Sequence, residues 1–310
     1  GLLVKAIPER NEDESITWYG FIADISETKA MEAEIAHYRD HLEQLVAERT
    51  HDLEIARAEA AHLALRCLDL TSLNDADTAA DITALCQRAH GPFGPVAAVC
   101  VWPRLAAFAR AQLPAKIAVA AVANFPHGGA DIETAVRDTM QIVQAGAQEV
   151  DLVLPYRSLM AGDEIAVAAL LNAVRRACPG LLLKVILETG ELKTPELIAR
   201  ACQISLDAGA DFLKTSTGKT PVSATLEAAR IMLSAIAASP AARDRVGFKA
   251  AGGIRTVSEA AGYLALVQEI LGASALTPQR FRIGASSLLV DIEAVLSGTS
   301  SPGATSAGNY

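Results

Sequence analysis

The segment DFLKTSTGKT, residues 211–220, begins as an apolar strand, yet it carries Lys214 inside the run and Lys219 five positions later. Upstream, TPELIARACQISLDAGA (194–210) has the spacing of an amphipathic helix and closes near a glycine, a common helix stop. The same unit recurs in both directions. Apolar runs appear at CLDLTSL (67–73), VAAVCVW (96–102), IAVAAVANF (117–125) and EVDLVLPY (149–156). They continue at LLLKVILET (181–189), DFLKTST (211–217), VGFKAAGG (246–253) and FRIGASS (281–287), with helical stretches between them. Strands separated by helices pair in parallel, because a parallel neighbour is reached only by a crossover. Eight units in about 250 residues predict an α/β fold of the (β/α)8 TIM-barrel type. The competing doubly wound sheet lacks its glycine-rich fingerprint, since LTSLNDAD (70–77) contains no glycine.

Residues 1–62 have another texture. LLVKAIP and ITWYGFIADI flank the polar turn RNEDES, a β-hairpin pattern. A long helix follows without proline or glycine, with Ser26 or Thr28 available as its cap. Met31, Ile35, Tyr38, Leu42 and Leu45 step by four and three as a coiled-coil seam, which beyond Val46 shifts toward Arg49, Leu53 and Ala56. The seam predicts a homodimer; a solvated linker helix is the alternative. His41, His51 and His62 read as solvated helix residues.

The totals exclude several classes. The net charge of −9 opposes a general affinity for nucleic acid, so an anionic ligand must be held by a local cluster of donors. Five scattered cysteines with no CxxC pair suggest reduced thiols in a cytoplasmic protein, with no disulfide framework and no metal site. No apolar run approaches the roughly 18 residues of a membrane span, and no signal-peptide pattern opens the chain. The start at Gly1 reads as a fragment or a processed chain.

Chemistry is suggested by polar residues in apolar strands. Lys184, Lys214 and Lys249 lie on three predicted strands near the carboxyl ends, where barrel enzymes keep their active sites, and Asp151 lies on a fourth. A lone buried ammonium costs several kcal/mol, so such groups need a partner or a purpose. One reading is a buried ion-pair network in which Asp151 and Glu188 neutralise the lysines. The other is a catalytic amine, deprotonated by burial and by neighbouring cations, able to form a Schiff base with a carbonyl. Three lysines on three strands favour the second. AGGIR (251–255) and GASS (284–287) follow the seventh and eighth strands, where barrels commonly bind phosphate. Gly252, Gly253 and Gly284 would allow close approach of backbone N–H groups. Ser286 and Ser287 would add hydroxyls, and Arg255 or Lys219 positive charge.

These landmarks, LDLTSLN, FPHG, EVDLVLPYRSLMAG, LLKVILETGEL, ADFLKTSTGK, GFKAAGGIRT and RIGASSLL, run in order through residues 63–310 and resemble the deoxyribose-phosphate aldolase family. The resemblance implies a class I aldolase, without metal or other cofactor. It would reversibly cleave 2-deoxy-D-ribose 5-phosphate to glyceraldehyde 3-phosphate and acetaldehyde, in deoxyribonucleotide catabolism. It implies Lys214 as the Schiff-base lysine, Lys249 as the second active-site cation and Asp151 in proton transfer. Asp69 and Lys184 would line the same pocket, and Tyr310 at the end of the tail would assist proton exchange. Gly218, Lys219, Gly252, Gly253, Arg255, Gly284, Ser286 and Ser287 would bind phosphate. Ala250 stands where the family pattern leads one to expect proline, and Cys100 would sit near the barrel mouth or in the core. WYGFIADISETKAMEAEI resembles the last strand of a PAS sensor domain entering a signalling helix. The expected organisation is therefore a PAS strand fragment at 1–26, a coiled-coil helix at 27–62, the barrel at 63–297 and a flexible tail at 298–310. The alternatives are a signalling scaffold with an inert barrel and a Schiff-base aldolase acting on another phosphorylated aldose.

Overall fold

The structure, a computed structural model, describes residues 2–24 and 26–299. It divides into two compact units, with the break between Ala56 and Arg57.

In the first unit, β1 (Leu2–Arg10) and β2 (Ile16–Asp24) pair antiparallel, Leu2 opposite Asp24 and Arg10 opposite Ile16. Asn11 Nδ2 bonds Ser15 Oγ at 2.9 Å and Thr17 Oγ1 at 2.7 Å, which closes the turn. Helix α1 (Ser26–Arg66) runs 41 residues, and Asp24 accepts from the Ser26 N–H at its start. Its seam residues Met31, Ile35, Tyr38, Leu42 and Leu45 are all exposed. The final turns of α1 belong to the second unit, where Ala61, Ala64 and Leu65 are buried.

The second unit is a closed, parallel eight-stranded barrel. The strands are β3 (Leu68–Thr71), β6 (Ala98–Val101), β7 (Ala118–Ala123), β8 (Glu149–Val153), β9 (Leu182–Ile186), β10 (Phe212–Lys214), β11 (Gly247–Ala251) and β12 (Phe281–Ala285); β12 closes on β3. A two-residue ladder, β4 (His90–Gly91) with β5 (Gly94–Pro95), decorates the first crossover. Each barrel strand leads into helix: α2 (Ala79–Arg88), α3 (Pro103–Gln112), α4 (Ile132–Gln144), α5 (Tyr156–Met160) with α6 (Glu164–Ala177), α7 (Thr189–Leu192) with α8 (Pro195–Asp207), α9 (Leu226–Ala238), α10 (Val257–Leu271) and α11 (Leu288–Leu296). Local chemistry marks their starts. Thr78 with Asp81 and Thr256 with Glu259 form capping boxes, while Pro103 and Pro195 open α3 and α8.

Side chains that leave the strands on the helix side make the main core, including Leu68, Val99, Val185, Phe248 and Phe281. Those on the other side fill the barrel interior, since successive strand residues alternate faces. There Phe212 occupies the space opposite Gly247, where a Cβ would stand 2.3 Å from its ring. The barrel register then aligns the inward polar residues across neighbouring strands: Asp151 beside Lys184, Lys214 beside Lys249, Lys249 beside Arg282, and Gly284 beside Asp69.

The strand β10 is shorter than the run DFLKTST suggests. It ends at Lys214. The Thr215 N–H still donates to the Lys249 carbonyl at 3.0 Å, and one step on a hydroxyl replaces the ladder: Thr215 Oγ1 accepts from the Ala251 N–H at 3.0 Å and donates to the Ala251 carbonyl. Likewise β9 stops at Ile186, and Glu188 turns the chain into the short α7.

Candidate active site

Seven charged side chains meet inside the barrel. Asp151, from β8, is the hub: its Oδ1 accepts from Lys184 Nζ at 2.9 Å, and its Oδ2 from Lys214 and Lys249, each at 2.8 Å. Asp69, from β3, bonds Lys249 and lies 3.3 Å from Lys184. Glu149, two residues before Asp151 and therefore on the same face of β8, receives Lys184 and the Nη2 of Arg282 at 2.7 Å. Arg282, from β12, also bonds Asp69 at 2.6 Å, and its guanidinium lies 5.6 Å over the Phe212 ring. All seven are buried.

Three carboxylates face three ammonium groups and one guanidinium. With every group ionised, the cluster keeps one unbalanced positive charge in a medium that penalises it. The unequal sharing of acids decides where it is relieved. Burial opposes the charged form of Lys184, Lys249 and Arg282, but the surrounding carboxylates outweigh it and hold each above its ordinary range. Lys214 has one carboxylate, which it shares with two other lysines. Burial, reinforced by the Lys249 ammonium, pulls it below the ordinary lysine range against the attraction of Asp151. Burial likewise opposes ionisation of Asp69 and Asp151, but the cations dominate and keep both well below the usual carboxylate range. The cluster can thus discharge itself by releasing one proton from Lys214, leaving a neutral amine.

That amine is also the accessible one. A cavity of about 320 Å³ at the carboxyl ends of the strands is lined by Lys214 and by no other member of the cluster. Asp69, Lys184 and Lys249 lie beneath it, fully buried. The remaining wall comes from Thr71 to Asn74 at the end of β3, Thr217 to Lys219 after β10, Ala251 to Arg255 at the end of β11, and Gly284 to Ser287 at the end of β12. Every phosphate-binding candidate expected from the sequence, Gly218, Lys219, Gly252, Gly253, Arg255, Gly284, Ser286 and Ser287, lines this one cavity. At Gly284 a Cβ would meet Lys249 Cε at 3.0 Å and Ala251 Cβ at 3.1 Å, so glycine there leaves room for the second lysine. Ser287 stands at the N-terminus of α11, where backbone N–H groups lack partners within the helix. Ala250, on the helix side of β11, is wholly buried and removes none of these polar groups.

Cys100 is buried with its Sγ 3.9 Å from Asp151 Oδ2, and burial together with that carboxylate pushes its thiol up to about 11. It packs in a buried cluster with Leu73, Ala120 and Val122, where burial favours the thiol over the thiolate. Tyr310 lies outside the described residues, as do residues 300–309 of the tail. Glu149 and Arg282 were not singled out from the sequence. The signal for Glu149 was its place two residues from Asp151; for Arg282 it was a charge inside the apolar run FRIGA. The three carboxylates have their oxygens engaged by cations, and among the described residues no group of His, Cys, Asp and Glu is arranged to hold a metal ion.

A family model described as DeoC/LacD family aldolase matches residues 63–291. A deoxyribose-phosphate aldolase of Agrobacterium fabrum is 53% identical over 243 residues, spanning 77% of this chain and 93% of that protein. Among solved structures, a tetrameric deoxyribose phosphate aldolase from Aeropyrum pernix superposes with a TM-score of 0.59 at 25% identity, covering 76% of this chain and 91% of that one. The aldolase QR15 superposes with a TM-score of 0.64 at 29% identity, over 76% and 96% of the two chains.

Proposed function

The chain belongs to the DeoC/LacD family of aldolases, and we propose that it cleaves 2-deoxy-D-ribose 5-phosphate reversibly to glyceraldehyde 3-phosphate and acetaldehyde through a Schiff base on Lys214. The observation that carries this reading is a single buried amine, short of carboxylate partners, opening into a cavity rimmed by glycine and serine loops.

Lys214 Nζ attacks C1 of the open-chain aldehyde, and the carbinolamine loses water to give an iminium ion. The iminium withdraws electrons from the C2–C3 bond as the C3 hydroxyl gives up its proton, through water, toward Asp151. The bond breaks, glyceraldehyde 3-phosphate leaves, and the electron pair becomes the double bond of an enamine. Protonation at C2 restores an iminium, and hydrolysis frees acetaldehyde and Lys214. Lys249, bonded to the same oxygen of Asp151 as Lys214, is placed to pass protons between them. Lys184 and Asp69 hold Asp151 and Lys249 in position. The phosphate lies among Gly218, Lys219, Gly252, Gly253, Arg255, Gly284, Ser286 and Ser287.

The N-terminal unit is proposed as the end of a PAS-like sensor strand leading into a coiled coil that pairs two copies. Support comes from a seam of exposed apolar residues, with Ile35 at 64% and Leu42 at 58% exposure. A reducing, cytoplasmic setting agrees with the five buried, free cysteines. An inert scaffold barrel would leave a buried, four-cation cluster without a purpose.

Borohydride reduction in the presence of acetaldehyde should attach a two-carbon adduct to Lys214, located by peptide mass mapping. Lys214→Ala should lose the adduct and at least about 10³-fold in kcat. Normal turnover by that variant would defeat the proposal.

A further inference from the structure

Glu188 has no step in this mechanism. Expected from the sequence as a possible counter-ion of the lysines, it turns instead to the loop after β10. Its backbone sits in the left-handed region, φ 57° and ψ 59°, which a residue with a Cβ enters at a cost. The side chain is buried and only accepts. One oxygen takes the Thr217 hydroxyl proton at 2.5 Å, the other lies 3.2 Å from the Thr220 hydroxyl, and the Thr217 N–H points between them at 3.3 and 3.4 Å.

The direction of these bonds matters. A hydroxyl has one proton, and a carboxylate surrounded by donors claims it. The Thr217 oxygen is then left as an acceptor, and the Lys219 N–H donates to it at 3.0 Å. Donation thus runs one way, from Lys219 N–H to Thr217 and from Thr217 to Glu188. This chain tightens the turn through Gly218. The Lys219 ammonium is meanwhile anchored to the Leu73 carbonyl at 2.8 Å, on the opposite wall of the cavity. Thr217, Gly218 and Lys219 all line the cavity; Glu188 does not.

We propose that Glu188 is a positioning residue that sets the phosphate end of the site, fixing the Thr217–Lys219 turn so that Gly218 and Lys219 meet the substrate's phosphate. This rests on the reading of the cavity as a sugar-phosphate site. It separates two tasks within adjoining strand ends: Asp151 governs the amine, and Glu188 governs the grip on the far end of the substrate.

The test compares cleavage of 2-deoxyribose 5-phosphate with cleavage of unphosphorylated 2-deoxyribose by the full chain and by Glu188→Gln. Loss of the carboxylate should raise KM for the phosphorylated sugar about tenfold or more, with kcat changed by no more than about threefold. kcat/KM for the unphosphorylated sugar should stay within about twofold, and borohydride labelling of Lys214 should persist. Thr217→Val, which breaks the same chain from its other side, should reproduce the KM effect, and Thr217→Ser, which restores the hydroxyl, should rescue it. A variant that keeps the full preference for the phosphorylated sugar overturns the role of Glu188. Equal losses on both sugars overturn it too, by making Glu188 a general structural residue. If the unsubstituted chain itself shows no preference for the phosphorylated sugar, the phosphate reading falls and the role of Glu188 falls with it. The parent's preference thus tells the two failures apart.

Discussion

The barrel interior and the N-terminal hairpin with its helix invert the usual placement of residues in opposite senses. In the barrel, seven ionisable groups are buried and paired with one another. In the N-terminal unit, Leu2, Ile7, Trp18, Phe21, Ile35 and Leu42 are exposed. Each departure calls for a partner, and the two differ in where it is found. The buried charges find theirs within the chain, and the surplus positive charge falls on Lys214, the lysine with the fewest carboxylates. The exposed apolar seam finds none on its own helix, which is why a second copy is the proposed occupant.

The contrast breaks most forcefully where a buried partner is removed. Glu149→Gln should destabilise the barrel by about 3–5 kcal/mol in denaturant unfolding, since Arg282 and Lys184 lose a carboxylate they cannot replace from water. Adding Arg282→Met should cost less than the sum of the two single changes, because the residues share one network. Additive losses would show that the network is not coupled.

A subtler change adjusts the amine without emptying the site. Lys249→Leu removes the cation that disfavours protonated Lys214 and leaves Asp151 with less opposing charge. Both effects raise the Lys214 pKa toward its ordinary range. Because only the neutral amine attacks, the acid limb of the kcat/KM profile should move to higher pH, alongside any loss in rate from proton transfer. A shift to lower pH would show that repulsion from Lys249 does not help deprotonate Lys214.

The smallest effect is expected in the other unit. Charging the seam with Ile35→Glu and Leu42→Glu should lower the mass seen by sedimentation from dimer to monomer. Each exposed substitution should change barrel stability by no more than about 0.5 kcal/mol, and activity per subunit should stay within about twofold. An unchanged mass would remove the seam as the contact between copies.

The barrel was legible in the spacing of its apolar runs, because a parallel sheet covered on both faces leaves near-continuous hydrophobic strands. Lys184, Lys214, Lys249 and Asp151 stood out because charges in such runs violate the pattern. Glu149 and Arg282 broke the same pattern but were harder to value, since their meaning lies in partners 133 residues apart. The end of β10 at Lys214 was likewise hidden. The Thr215 hydroxyl could cap the Ala251 backbone at the end of β11 only once the register had brought the two together.

By itself the sequence determined the eight strand–helix units, the hairpin with its long helix, and the residue types from which the site is built. Tertiary structure decided which lysine is short of acid, which one reaches the cavity, and that Glu188 serves a turn instead of an ammonium. Hydrophobic periodicity is local and can be read along a chain, whereas the protonation of a buried group depends on charges that only barrel closure brings within a few ångströms.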